Sequence, residues 1–166
     1  MLEIVTYPDD RLKTKALPVE SVDDEVRRLV DEMAETMYAA PGIGLAANQV
    51  GILKRIAVID VEYPDGKPNL LVLINPEIVR REGEITWEEG CLSFPDVHED
   101  VVRAAEIEVR ALDRDGKAFS VEAGGLLAVA MQHEIDHLDG IVFIDHISFL
   151  KRKIIQRQLT KIKQAG

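Results

Sequence analysis

His133-Glu134-Ile135-Asp136-His137 constrains the fold of this chain more than any other segment. Residues i and i+4 of an α-helix share a face one turn apart, so both imidazoles reach one metal ion if the segment is helical. Glu134, one position on, then stands where it can touch water at the metal without being a ligand. Leu126, Leu127, Val129, Ala130 and Met131 precede the pair, Gly124-Gly125 breaks the chain before them, and Asp139-Gly140 stops it afterwards. This pattern predicts a helix over about 125–138, apolar enough to be buried. Burying two imidazoles, Glu134 and Asp136 there requires a partner that offsets lost hydration, and a metal ion is such a partner.

Two histidines leave a metal site incomplete. The longer pattern H-E-x-x-H-x-x-G-x-x-H holds through Gly140 but meets Phe143 where a third histidine would stand. No glutamate follows His137, which closes the arrangement with a downstream carboxylate ligand. His146 lies past the Asp139-Gly140 break and reads better as a helix-start residue. Cys91, the single cysteine, sits in Glu88-Glu89-Gly90-Cys91-Leu92-Ser93 and is the better candidate for the third ligand.

One cysteine cannot close an internal disulfide, which fits a free thiolate ligand in a reducing cytoplasm. Hydrophobic residues at 46% with 30% charged over 166 positions predict a single globular catalytic domain, 1–166, whose core needs no cross-links. Met1–Asp10 has neither a cationic segment nor an apolar run, so no signal peptide is expected, nor any membrane association. The net charge of −10 is unevenly placed: Lys151, Arg152, Lys153, Arg157, Lys161 and Lys163 give the last 16 residues +6, leaving −16 on the rest. The acidic body argues against general nucleic-acid binding. The basic segment predicts a helix over about 147–163 whose Ile154, Ile155, Leu159 and Ile162 form one packing stripe. Its charges could dock on an anionic surface such as ribosomal RNA.

An amphipathic helix is expected over Asp23–Ala39, with Val26, Leu29, Val30, Met33 and Met37 on one face and Pro41-Gly42 ending it. Extended segments follow at Arg55–Val61, Leu70–Asn75, Ile78–Trp87, Glu106–Ala111 and Ala118–Glu122, with turns at Pro64-Asp65-Gly66 and Asp113-Arg114-Asp115-Gly116. Strands grouped between helices indicate an α+β fold, with mostly antiparallel short sheets around the central histidine helix and a C-terminal basic helix.

Gly42-Ile43-Gly44-Leu45-Ala46-Ala47-Asn48-Gln49-Val50-Gly51 contains G-x-G-x-x-A, but a helix precedes it and a strand follows. A dinucleotide fingerprint needs the reverse order. The segment reads instead as a glycine-lined edge along which a peptide backbone can lie as an added strand. Gln49 then offers a neutral donor to an oxyanion near the metal.

Three segments, Gly42–Gly51, Glu89–Ser93 and Gln132–His137, together resemble the three signature motifs of the peptide deformylase family, in that family's order and spacing. The likeness runs over essentially the whole chain. It implies an α+β fold and a hydrolase that removes the N-formyl group from nascent chains beginning with formyl-methionine. It also implies a native ferrous ion (Fe2+), replaceable by nickel, cobalt or, with poor activity, zinc. The family's ligands fall on Cys91, His133 and His137, and its general base on Glu134. The oxyanion donors fall on the Gln49 side chain and the Leu92 backbone N–H. Ile43 and Gly44 would pair with the peptide backbone, and Trp87, Leu126 and Val129 would line the methionine slot. Glu89 and Asp136 would orient ligands, while His98 stands where many relatives carry arginine and takes no assigned role.

Two other classes remain open on sequence grounds. A general H-E-x-x-H metallopeptidase would cleave peptides with or without a formyl group. A noncatalytic metal-binding or ribosome-docking module would need neither Glu134 nor Gln49.

Overall fold

In the computed structural model the backbone of residues 1–165 is described, with side chains through Lys161. The chain runs α1 (Asp24–Ala39), β1 (Gly44–Ala46), β2 (Ile56–Ile59), β3 (Leu71–Glu82), β4 (Ile85–Cys91), β5 (Phe94–Arg103), β6 (Glu106–Leu112), β7 (Ala118–Gly124), α2 (Gly125–Leu138) and α3 (Phe149–Ala165). Five strands pair antiparallel in the order β1-β2-β3-β6-β7, and β4 and β5 form a hairpin of their own. This is the expected α+β arrangement.

β2 explains the layering. All four of its residues are buried, because a strand turns alternate side chains to opposite faces and both faces are covered. Ile56 and Val58 join Val26, Val30, Met33 and Met37 of α1 in one apolar cluster. Ala57 and Ile59 join Ala128, Met131, Ile135 and Leu138 of α2 in another. Asp23 starts α1 by accepting the Val26 amide at 2.9 Å. The α2 helix therefore lies on the sheet through one face and turns its histidine-bearing face elsewhere.

Three sequence expectations change. β3 runs unbroken through Asn75-Pro76, so Ile78–Trp87 is not one strand: its first part ends β3, and its last part begins β4 beyond Gly83. The register shifts between Ile74 and Glu77, and Asn75 takes a φ of 52°, so a bulge absorbs the proline. β5 was not expected at all. Its acidic, proline-containing sequence shows weak alternation, and only pairing with β4 makes it a strand.

In α3, Ile155 and Leu159 are buried in a third cluster with Leu12, Phe94, Val101 and Phe143, but Ile154 is 49% exposed. The helix meets the body along a narrow i, i+4 line, and Ile154, one step off it, faces solvent. The side chains of Ile162 and Lys163 lie outside the described residues. No described helix is long and apolar enough to cross a membrane.

Candidate active site

Cys91 ends β4 where the hairpin register shifts, while His133 and His137 leave α2 on the face opposite the sheet. Their ligand-capable atoms lie within 4.8 Å of one another, the only such group among the described residues. His137 Nε2 is 3.3 Å from Cys91 Sγ and 3.2 Å from His133 Nε2. A sulfur and two imidazole nitrogens converging on one point suit a divalent transition ion.

The tautomer of His133 is fixed from behind. Its Nδ1 donates to Glu89 at 2.8 Å, which turns Nε2 toward Cys91 and His137. Glu89 is itself held by both arms of Arg103, at 2.8 Å each, and Arg103 continues to Asp136. Burial would raise the Glu89 pKa, but the Arg103 and His133 hydrogen bonds and charges outweigh it and bring it to about 2. Asp136 is thus joined into this chain of hydrogen bonds through Arg103, and it also accepts from His146 at 2.8 Å. His146 is thus no part of the three-atom cluster and ends the short turn Phe143–His146 before α3.

Burial drives the His137 pKa well below the ordinary imidazole value, and the neighbouring His133 adds to it. Three buried side-chain atoms among the described residues have no hydrogen-bond partner, and two of them, His137 Nδ1 and Glu134 Oε1, are here; the third is Asn48 Oδ1. Glu134 is pushed up to about 7, chiefly by burial, with Glu89 and Asp136 adding against His133 and Arg103. Its carboxylate lies against Gly44: a Cβ there would sit 2.9 Å from the carboxyl carbon and closer still to Oε2. The second glycine of the Gly-Ile-Gly segment is thus the space in which Glu134 lies.

Gln49 follows β1 in the turn Ala47–Val50 and is 1% exposed. Its Oε1 accepts the Ala46 amide at 2.9 Å, which turns Nε2 toward Cys91 Sγ at 3.4 Å and Ser93 Oγ at 3.2 Å. A cleft of about 380 Å³ opens over these groups. Ile43, Gly44, Gln49, Trp87, Cys91, Leu92, Leu126, Val129, His133 and Glu134 all line it, so every site residue expected from sequence except the fully buried His137 meets there. β1 is the edge strand on this side. The Asp60 amide donates to the Ile43 carbonyl, so antiparallel alternation turns the Gly44 amide and carbonyl to the open edge.

Residues 1–153 match the family described as polypeptide deformylase. The chain belongs to that family. It is 56% identical to the peptide deformylase of Alkalilimnicola ehrlichii, over 100% of this chain and 93% of that one. Among solved structures, a peptide deformylase from Legionella pneumophila superposes with a TM-score of 0.92 at 46% identity, covering 99% and 96% of the two chains. One from Ehrlichia chaffeensis, solved in complex with actinonin, gives 0.92 at 43% identity, covering 97% and 96%. Deformylases are metal-dependent hydrolases, and the Cys–His–His cluster fits that dependence.

Two residues that brace this cluster carried little signal in the sequence. Arg103 is 6% exposed and joins Glu89 to Asp136, yet in Val101-Val102-Arg103-Ala104-Ala105 its one signal was a charge among apolar residues. Ser93 is fully buried and takes the second Gln49 donor bond. His98 also reaches the cleft wall, its ring packed against Gly90 so closely that a Cβ there would lie 2.8 Å from it.

Proposed function

We propose that this chain removes the N-formyl group from formyl-methionine at the start of nascent polypeptides, releasing formate. The observation that carries the reading is the convergence of Cys91, His133 and His137 at a cleft shared by Glu134, Gln49 and an open glycine edge. Cys91, His133 and His137 are the proposed ligands, and Fe2+ the proposed native ion, with Ni2+, Co2+ or Zn2+ as substitutes. The sulfur makes this donor set softer than three imidazoles and open to oxidation together with a ferrous ion.

Cys91, His133 and His137 would hold a divalent ion, whose chemistry there would be Lewis acidity, bringing the pKa of water toward neutrality. Glu134 takes a proton from the attacking water and returns it to the departing amine nitrogen as the C–N bond breaks. The water oxygen leaves on the formyl carbon as part of formate. Gln49 Nε2, releasing the long 3.4 Å bond to Cys91 Sγ while it keeps Ser93, and the Leu92 N–H donate to the oxyanion of the tetrahedral intermediate; losing one such donor costs about 3–4 kcal/mol. The Ile43–Gly44 edge aligns the peptide backbone, which places the formyl carbon for attack. Trp87, Leu126 and Val129 line the slot for the methionine side chain.

Residues 1–166 are read as one catalytic domain acting in the cytoplasm. Exposed Lys151, Lys153, Arg157 and Lys161 support ribosome docking through α3. The test of the reaction is formate release from formyl-Met-Ala-Ser by nickel-loaded protein handled without oxygen, beside Cys91→Ala and the unformylated peptide. Release by wild type alone, with the unformylated peptide left intact, supports the reading. Cleavage of both peptides would replace it with a general metallopeptidase.

A further inference from the structure

The loop between β2 and β3 reaches the peptide edge by a route that the reaction above does not use. Asp60 follows β2 and is 1% exposed. Its carboxylate accepts the Tyr38 hydroxyl at 2.6 Å, the Asn69 amide at 2.8 Å and the Glu62 and Tyr63 amides at 3.1 Å each. Four donors on one carboxylate fold segment 60–69 into a fixed shape. The Tyr63 ring then meets the Tyr38 ring edge-on, with centroids 4.8 Å apart. The Tyr63 hydroxyl donates to the Gly42 carbonyl at 2.8 Å.

That carbonyl occupies a sensitive point. Gly42 is where the chain leaves α1, its amide donating to Met37 at 2.8 Å, and two residues later Gly44 begins β1. Gly42 also packs on Leu92, so closely that a Cβ would lie 2.7 Å from Leu92 Cδ1. The next carbonyl, of Ile43, accepts the Asp60 amide at 2.8 Å. One loop thus ties two consecutive carbonyls immediately before the backbone groups that face the open edge. A Gly-Ile-Gly run loses more backbone entropy on ordering than a tripeptide without glycine. Ordering it in advance lowers the cost of laying a peptide along it.

We infer that Tyr63 is a positioning residue for the substrate: through the Gly42 carbonyl it holds the Ile43–Gly44 edge in register with Cys91, His133 and His137. The inference rests on the deformylase reading for its substrate. Tyr63 touches neither the reacting atoms nor a ligand, so its effect grows with the length of peptide backbone laid along the edge.

Tyr63→Phe removes the hydroxyl and keeps the ring against Tyr38. Its KM for formyl-Met-Ala-Ser should rise about three- to tenfold, as expected for one lost hydrogen bond, with kcat within about twofold. Its kcat/KM for formyl-methionine alone, which has no downstream backbone, should be unchanged, as should bound metal. An equal loss on both substrates, a fall in kcat alone or no change in KM would overturn the inference. Amide hydrogen exchange without substrate provides a readout independent of turnover. Exchange at 42–46 should quicken by about the same factor in the variant while 56–59 is unaltered. Identical exchange in both proteins would overturn the inference, whatever the kinetics show. Absence of formate from metal-loaded wild type would sink the deformylase reading instead, and exchange would still decide whether Tyr63 holds the edge.

Discussion

Gly44→Ala should disable the chain while leaving it folded. An alanine Cβ at Gly44 would stand 2.9 Å from the Glu134 carboxyl carbon and 3.0 Å from its Cγ, both inside normal carbon–carbon contact. Relief requires the carboxylate to move by about 0.5–1 Å, since apolar contact begins near 3.5 Å. A reacting group misplaced by about 1 Å loses on the order of 100-fold in rate, or about 2.7 kcal/mol of transition-state stabilisation. The backbone offers no comparable obstacle, because Gly44 lies in an extended strand and is not among the glycines with positive φ. Alanine should even restrict the unfolded chain, by about 0.4–1 kcal/mol in the variant's favour, offsetting part of the clash. The assay is kcat for formate release by nickel-loaded variant, with metal content and thermal midpoint read on the same preparation. A 100-fold fall at unchanged metal content and a nearly unchanged midpoint is the expected pattern. Activity within about threefold of wild type would refute the argument. So would a loss of metal matching the loss of rate, since that would put the damage on the ligands. In a Glu134→Ala background the clash has no partner, and Gly44→Ala should then raise the midpoint.

Arg103→Leu leaves Glu89 and Asp136 without their shared cation in a buried site, and should cost about 3–5 kcal/mol of stability in denaturant unfolding, with metal affinity down about 10–100-fold; wild-type values on both counts would contradict the assigned role. Leu159→Ala, at a position 5% exposed, should cost about 2–4 kcal/mol, whereas Ile154→Ala should stay within about 0.5 kcal/mol, and equal effects would mean α3 packs differently. Burial and the Asp60 carboxylate push the Tyr38 pKa up to about 12, while burial raises Tyr7 and Tyr63, with Asp145 and Asp60 respectively adding. A raised phenol pKa contributes stability fully present below the unfolded value near 10 and lost as pH rises through 12. Phenolate absorbance of the folded protein should therefore lag that of unfolded protein, and Tyr38→Phe should remove the latest phase; a folded titration centred at 10 would refute it.

The helices were legible because each carries its period in strong letters. The α1 apolar positions recur at three- and four-residue steps behind an aspartate cap, and α2 lies between Gly124-Gly125 and Asp139-Gly140. The ligand candidates were legible because few residue types bind metals and this chain spends its one cysteine beside a glycine turn. What stayed hidden depends on partners distant in sequence. β5 is a strand by virtue of β4, and the bulge at Asn75-Pro76 is tolerated because β3 keeps pairing with β6 beyond it. Arg103 gains meaning only when the hairpin brings it to Glu89 and Asp136. Tyr63 sits in a segment that reads as turn chemistry alone, and its hydroxyl finds Gly42 only after Asp60 has shaped the loop.

The sulfur and the imidazoles belong to different bodies. Cys91 ends a hairpin that pairs with no other strand, while His133 and His137 ride on the helix laid across the main sheet. An ion held by Cys91, His133 and His137 would be a rivet through the seam between hairpin and helix, adding to the packing of Phe94 and Val101 on Phe143 and to the Arg103–Asp136 pair. Glu89, Arg103 and Gln49 brace these three candidate ligands from either side of that seam. Stripping the ion should loosen the hairpin's grip on the body well before the sheet itself gives way, so a protease would enter first at the Leu92-Ser93 corner.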